Sequence, residues 1–179
     1  MNIRIAKSED LGAIVDIYNQ AIAAGQKTAH LKPVTVDERS KWFSDHTPDK
    51  YPIIVTRDKN EITGFLTVSA YRPGREALRF TAEVSYYVHS DHQRKGVATN
   101  LLRYAIGMCP SLHIKTLFAI LLESNHGSIK LLEKFGFEKW GYMPKVADFN
   151  GIEVGHLYYG LRIENAGKSL QGMPANPYR

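Results

Sequence analysis

The run Gln93-Arg94-Lys95-Gly96-Val97-Ala98 constrains this chain more than any other, because it sets two cations and a glycine where a strand passes into a helix. Glu83-Val84-Ser85-Tyr86-Tyr87-Val88-His89 ahead of it reads as a strand. Behind it Val97, Leu101, Leu102, Ala105 and Met108 recur at helical spacing. The first amides of a helix have no intrahelical partner and carry partial positive charge, so such a junction folds with an anion site built in. Gly96 lets the backbone approach a ligand that a Cβ would hold away. Arg94 and Lys95 add full charges on the same side. A pyrophosphate suits this junction. The same six residues also read as a solvated basic turn, and alone they do not separate the two readings.

Of the 179 residues, 44% are apolar and 23% charged, which supports one globular domain with a sizeable core rather than two. Residues 1–7 alternate polar and apolar without a long hydrophobic run. That pattern predicts neither a signal peptide nor a membrane span, and hence a cytoplasmic protein. Cys109 is the single cysteine, so an internal disulfide and a thiolate-rich metal site are excluded. Near a predicted helix end it reads as a small apolar residue. A formal charge of +5 fits nucleic acid, a membrane surface or an anionic small molecule alike. No block of five or six basic residues occurs, and the aromatics are not interleaved with Lys and Arg. These patterns favour a local anion site over nucleic-acid or membrane partners. The seven histidines are dispersed and lack His-Glu-x-x-His spacing, so no metal is expected. Gly167-Lys168-Ser169 is no phosphate loop, because the first glycine that motif requires falls at Arg162.

Periodicity and turn residues predict the order β-α-α-β-β-β-α-β-α-β-β. A strand at Ile3 to Ala6 precedes Ser8 as a helix cap, with Glu9 and Asp10 in the first turn. Leu11, Ile14, Val15, Tyr18 and Ile22 form that helix's apolar face. A short helix over Val36 to Ser44 and a hairpin of Ile53 to Arg57 with Ile62 to Tyr71 follow. Arg79 to His89 is the strand feeding the basic turn, Pro110 helps end the next helix, and Lys115 to Leu121 is a strand. Asn125 opens a helix carrying Ile129, Leu131, Leu132 and Phe135, with Gly136 as its left-handed terminator. Strands near Glu138 to Val146 and Glu153 to Ile163 close a domain over 1–163, leaving a tail, 164–179, poor in large apolar side chains.

This order, with Gln-x-x-Gly-x-Ala after the fourth strand, resembles the GNAT superfamily of acetyl-coenzyme A-dependent acetyltransferases. Within it the chain is similar to the phosphinothricin and methionine sulfoximine N-acetyltransferase group. The matching residues are Ile17-Tyr18-Asn19, Thr81-Ala82-Glu83, Tyr87-Val88, His92-Gln93-Arg94 with Gly96, Asn125, Ser128-Ile129, Glu133 and Gly136-Phe137. The resemblance spans nearly the whole domain and implies an α/β (α+β) GNAT fold, a mixed sheet of about seven strands with about four helices. It implies acetyl-CoA as donor, with no metal, and a small amine as acceptor. Many members of the group are homodimers, which these residues do not specify.

The resemblance also implies residue roles. Arg94, Lys95, Gly96, Val97, Ala98 and Thr99 would hold the pyrophosphate of coenzyme A. The backbones of Tyr86, Tyr87 and Val88 would align its pantetheine arm as an added strand. Asn125 and Ser128 would bond that arm, or cap a helix instead. Glu83 falls at the family's catalytic base. Period-2 alternation puts it on one face with Ser85, Tyr87 and His89, where a carboxylate costs free energy unless it is paired or used. Arg75 and Arg79 are its candidate structural partners. The implied reaction is direct attack of an amine on the thioester, with Glu83 taking the proton. Ser85, Arg72 and Arg75 are assigned to the acceptor, the guanidinium being suited to an α-carboxylate. Leu132 departs from the Tyr or His with which many relatives protonate sulfur, and His30, Leu31 and Leu78 depart from frequent aromatics. Two other readings are acetylation of a protein or peptide amine, and a non-enzymatic module that binds coenzyme A.

Overall fold

The computed structural model describes residues 1–164, so the expected tail lies outside the described residues except for Glu164. In chain order the elements are β1 (Asn2–Ile5), α1 (Leu11–Ala23), α2 (Val36–Ser44), β2 (Ile53–Asp58), β3 (Glu61–Ala70) and β4 (Thr81–Val88). Next come α3 (Val97–Met108), β5 (Thr116–Leu122), α4 (His126–Lys134), β6 (Glu138–Phe149) and β7 (Ile152–Arg162). The predicted order holds, and the architecture is α+β. One seven-stranded sheet runs β1-β2-β3-β4-β5-β7-β6, with β7 inserted between β5 and β6. Every pairing is antiparallel except β4 with β5, which the α3 crossover makes parallel. No helix among the described residues is long and apolar enough to cross a membrane.

Strand alternation sorts the core into two layers. Ile54, Leu66, Val68, Ala82 and Val84 face α3 and α4, meeting Leu101, Leu102, Ala105, Leu132 and Phe135. Ile53, Val55 and Phe65 face the other way, against Ile14 and Ile17 of α1 and the rings of Trp42, Phe43 and Tyr87. The divided faces of β4 are therefore those the sequence predicts.

Local differences have local causes. Ser8 is not the helix cap but opens a single 3-10 turn, Ser8–Asp10. The Asp10 carboxylate does the tying, accepting the Lys7 amide at 2.7 Å and pairing with Arg4 at 2.6 and 2.8 Å. Burial alone would raise that carboxyl; the Arg4 bond and the Lys7 amide outweigh it and hold it below its usual value. In α3 the buried position is Ile106, while Met108 is only partly covered. A 3-10 turn over Glu76–Leu78 shortens β4 at its start. Gly136, at φ 80°, ends α4 as predicted.

Two features of the fold position the site. β4 and β5 pair only through Thr81, Ala82 and Glu83 with Thr116, Leu117 and Phe118, and then part. From Ser85 to Val88 the β5-facing edge of β4 has no ladder partner. The second feature is Gly64 on β3. A Cβ there would lie 2.7 Å from Val97 Cγ1 and 2.9 Å from the Tyr87 carbonyl oxygen. Its absence seats the first turn of α3 against the sheet. Gly64→Ala is expected to lower unfolding free energy by about 1–3 kcal/mol, read as a lower urea midpoint at unchanged m-value. An unchanged midpoint would mean that this contact does not fix α3.

Candidate active site

Where β4 and β5 part, a groove runs from the middle of the sheet to the start of α3. Its inner part is lined by Glu83, Ser85, Tyr86, Tyr87, Asn125, Ser128, Leu132, His156 and Tyr158. The outer part is lined by Tyr86, Tyr87, Val88, Gln93, Arg94, Gly96, Val97, Ala98, Thr99, Asn125 and Ser128. Arg94 and Gly96 both take positive φ, 58° and 81°, curling the backbone before α3 begins. The first helical bond of α3 is Asn100 N–H to the Gly96 carbonyl, so the amides of Val97, Ala98 and Thr99 remain open at the helix start. A Cβ added to Gly96 would meet no protein atom within 4 Å; it would stand in the groove itself.

Two side chains complete the walls. The Asn125 carboxamide oxygen accepts the Ser128 amide at 3.4 Å, so the capping reading holds for its oxygen while its amide nitrogen has no protein partner among the described residues. The buried Tyr86 hydroxyl stands beside Ser128 without a well-formed hydrogen bond. Burial pushes this phenol up to about 12, so it remains a donor. An unpaired strand edge, open helix amides and unspent polar side chains in one line fit a long ligand bearing amides and a diphosphate.

A second pocket opens on the α1–α2 side of β4. It is lined by Ile14, Val15, Tyr18, Val34, Arg39, Trp42, Phe65, Thr67, Ser69, Ser85 and Tyr87. Ser85 and Tyr87 belong to both spaces, so β4 is the wall between them. Glu83 lies on that same face. It forms neither a hydrogen bond nor a salt bridge among the described residues, and burial raises its carboxyl above the usual range. Arg79 bonds the Glu76 carbonyl and lies over the Phe80 ring, while Arg75 lies in an exposed loop, so neither serves as the structural partner of Glu83.

The structure brings together Glu83, Ser85, Tyr86, Tyr87, Val88, Arg94, Gly96, Val97, Ala98, Thr99, Asn125 and Ser128. Lys95 is exposed on the turn and does not line the groove. Arg72 and Arg75 are also exposed and line neither space; Arg72 lies over the Tyr71 ring at 5.9 Å. The cation in the second pocket is Arg39, whose guanidinium carbon sits 4.8 Å from the Tyr18 ring centre and 5.4 Å from that of Trp42. It forms no salt bridge among the described residues. In the sequence it hides within the charged run Asp37-Glu38-Arg39-Ser40-Lys41, which reads as a solvated helix face. His30 is exposed, its Nδ1 2.6 Å from the Tyr18 hydroxyl, and Leu31 is exposed as well. Cys109 is buried, its thiol pushed up to about 12 by burial, which suits a packed residue rather than a nucleophile.

The sequence profile of the acetyltransferase (GNAT) family matches residues 14–137. YwnH of Bacillus subtilis, which carries the name of a phosphinothricin acetyltransferase, is 40% identical over 152 residues, spanning 84% of this chain and 92% of its own. The L-methionine sulfoximine/L-methionine sulfone acetyltransferase of Pseudomonas aeruginosa is 34% identical over 164 residues, 91% of this chain and 95% of that protein. Among solved structures, a GNAT superfamily phosphinothricin acetyltransferase from Sinorhizobium meliloti in complex with AcCoA superposes with a TM-score of 0.85 at 27% identity. That match covers 99% of this chain and 94% of the other.

The left-handed turn before α3 makes a direct test of the groove. An alanine at Gly96 carries about 1–2 kcal/mol of left-handed strain, and relaxing it turns the amides away from the groove. Gly96→Ala is therefore expected to weaken binding of coenzyme A about tenfold in calorimetry. Undiminished affinity would place the diphosphate elsewhere.

Proposed function

The chain belongs to the acetyltransferase (GNAT) family, and on that premise we propose that it moves the acetyl group of acetyl-coenzyme A to the primary amine of a small amino-acid-like acceptor, with Glu83 as general base. The observation that carries this reading is the placement of Glu83. A half-buried carboxyl without a protein partner among the described residues is unfavourable for folding alone, and it sits on the strand dividing the two spaces.

Each space has a part in the reaction. The open edge of β4 at Tyr86 to Val88 offers backbone groups to an extended, amide-bearing arm, and the amides at the start of α3 with Arg94 offer charge to a diphosphate. Lys95 adds charge to that end from the exposed side of the turn. The second pocket takes the acceptor. An ammonium has no lone pair, so its nitrogen attacks the thioester carbonyl only after Glu83, directly or through a water, has taken a proton. Backbone amides on the open edge are oriented to stabilise the oxygen on which charge develops. Leu132 offers no proton to the departing sulfur; the phenols of Tyr86 and Tyr158 line the groove and are the hydroxyl donors we assign in its place.

Arg39 supplies the hold on the acceptor. Stacked between two rings and free of a salt bridge, its guanidinium can take an α-carboxylate through two parallel bonds. Arg72 and Arg75 are proposed to add to that hold from the loop after β3, and Ser85 to contact the acceptor at the dividing strand. The named activities of the relatives, on amino acids with a tetrahedral sulfur or phosphorus in the side chain, support this acceptor class.

Two measurements test the assignment. Since the base acts deprotonated and burial raises its pKa, kcat/KM should climb with pH through a limb above the usual carboxylate range. Glu83→Gln should remove that limb and lower kcat by about 10²–10⁴-fold at unchanged affinity for coenzyme A; wild-type turnover in this variant would overturn the role. Arg39→Leu should raise KM for methionine sulfoximine by about 10–100-fold with little change in KM for acetyl-coenzyme A. If Arg72→Ala or Arg75→Ala alone reproduces that effect and Arg39→Leu does not, the carboxylate is held from the loop.

A further inference from the structure

Beside the outer end of the groove, the chain folds three metal-ligating side chains together. Glu61 begins β3, His89 follows the end of β4, and His92 ends the 3-10 turn Ser90–His92 that runs into Gln93 and Arg94. One ligand atom from each lies within 4.8 Å of the others. We propose that Glu61, His89 and His92 form a binding site for a divalent transition ion of the zinc class, at the root of the turn that leads to α3.

The donor set argues for that class of ion. Two imidazole nitrogens and one carboxylate oxygen suit zinc and its neighbours, with a fourth position left to water; calcium and magnesium ask for more oxygen. The spacing also fits. Donors about 2.1 Å from a tetrahedral centre stand about 3.4 Å from each other. Here His92 Nε2 lies 3.1 Å from one Glu61 oxygen and His89 Nε2 3.9 Å from the other, on either side of that value. The histidines sit on well-tied backbone: the His89 amide donates to the Thr63 carbonyl at 3.0 Å and the His92 amide to the His89 carbonyl at 2.9 Å. Both side chains are about four-fifths covered, and Glu61 projects at the rim.

A dication can enter without either ring losing its proton. His89 Nδ1 accepts the Asp91 amide at 3.3 Å, which puts its proton on Nε2, facing Glu61. His92 Nε2 faces the same carboxylate. One carboxylate thus stands before two ring N–H groups. An ion entering between them takes both Nε2 lone pairs as each ring proton passes to Nδ1, with no change in total charge on the rings. His89 then gives up its contact with the Asp91 amide, and the turn is held through the metal to β3. Because His92 also borders the groove beside Gln93 and Arg94, that tie braces one end of the diphosphate turn.

Sequence spacing hides this site. His89 and His92 are three apart, while Glu61 arrives from 31 positions before His92 through the antiparallel pairing of β3 and β4.

The test uses tag-free, chelator-stripped full-length protein. Zinc titrated by calorimetry near pH 7.5 should bind with one equivalent per chain, and magnesium should give no saturable heat. His92→Gln and Glu61→Gln should each weaken zinc binding at least tenfold. Thermal melting without metal confirms that both variants fold; saturating zinc should raise the melting temperature of the wild type and leave the variants nearly unmoved. Absence of saturable binding to the wild type, or equal binding by wild type and folded variants, would overturn the proposal.

Discussion

The parting of β4 and β5 is the feature on which the rest depends. A parallel pair in mid-sheet ordinarily continues its ladder to the ends of both strands, since buried amides and carbonyls left without partners are unfavourable. Here the ladder stops after Glu83 pairs with Phe118, although β4 continues to Val88 and β5 to Leu122. Helices cover the sheet on both faces here, α4 with its buried Leu132 on one side and α1 with Tyr18 against Tyr87 of β4 on the other. In the proposed reading, the backbone bonds that the sheet forgoes would hold a ligand arm. The start of α3 lies at the outer end of the same opening because α3 is the crossover between those two strands.

That geometry also explains the carboxylate. Glu83 occupies the last paired position before the strands diverge, so it is half-buried by the sheet and borders the opening. One residue earlier, Ala82 packs in the core; one later, Val84 does the same.

Legibility in the sequence follows the range of the interactions involved. The faces of β4 were readable because period-2 alternation is local, and the turn at Gly96 because two cations and a glycine between a strand and a helix are also a local pattern. Asp10 supplanting Ser8 is a matter of a partner, Arg4, arriving from β1, which no capping pattern records. Arg39 was unreadable for a similar reason: the rings that frame it, Tyr18 and Trp42, come from two helices whose packing is set only by the whole fold. Arg72 and Arg75 show the converse. Their loop can be located in the sequence, but its course, with Arg72 at φ 52° and Gly74 at φ 81°, cannot.

The polarity of the two spaces bears on which acceptors are favoured. The charge of Arg39 is sited in the second pocket, whereas Glu83 is ionised, once its proton is lost, at the dividing strand. A free amino acid carries the complement of this pair, a carboxylate and an ammonium within one small body, and can neutralise both in a single orientation. A simple amine satisfies Glu83 and leaves Arg39 as it was, stacked on aromatic faces and partly exposed. A peptide amine must bring an amide where the carboxylate would lie, and so forgoes the charge-assisted pair. In the proposed reading, preference therefore comes from the cation side of the pocket and chemistry from the anion side. A change at one end should alter acceptor choice without changing the route of proton removal, which is the separation expected when recognition and reaction are placed on α2 and β4 respectively.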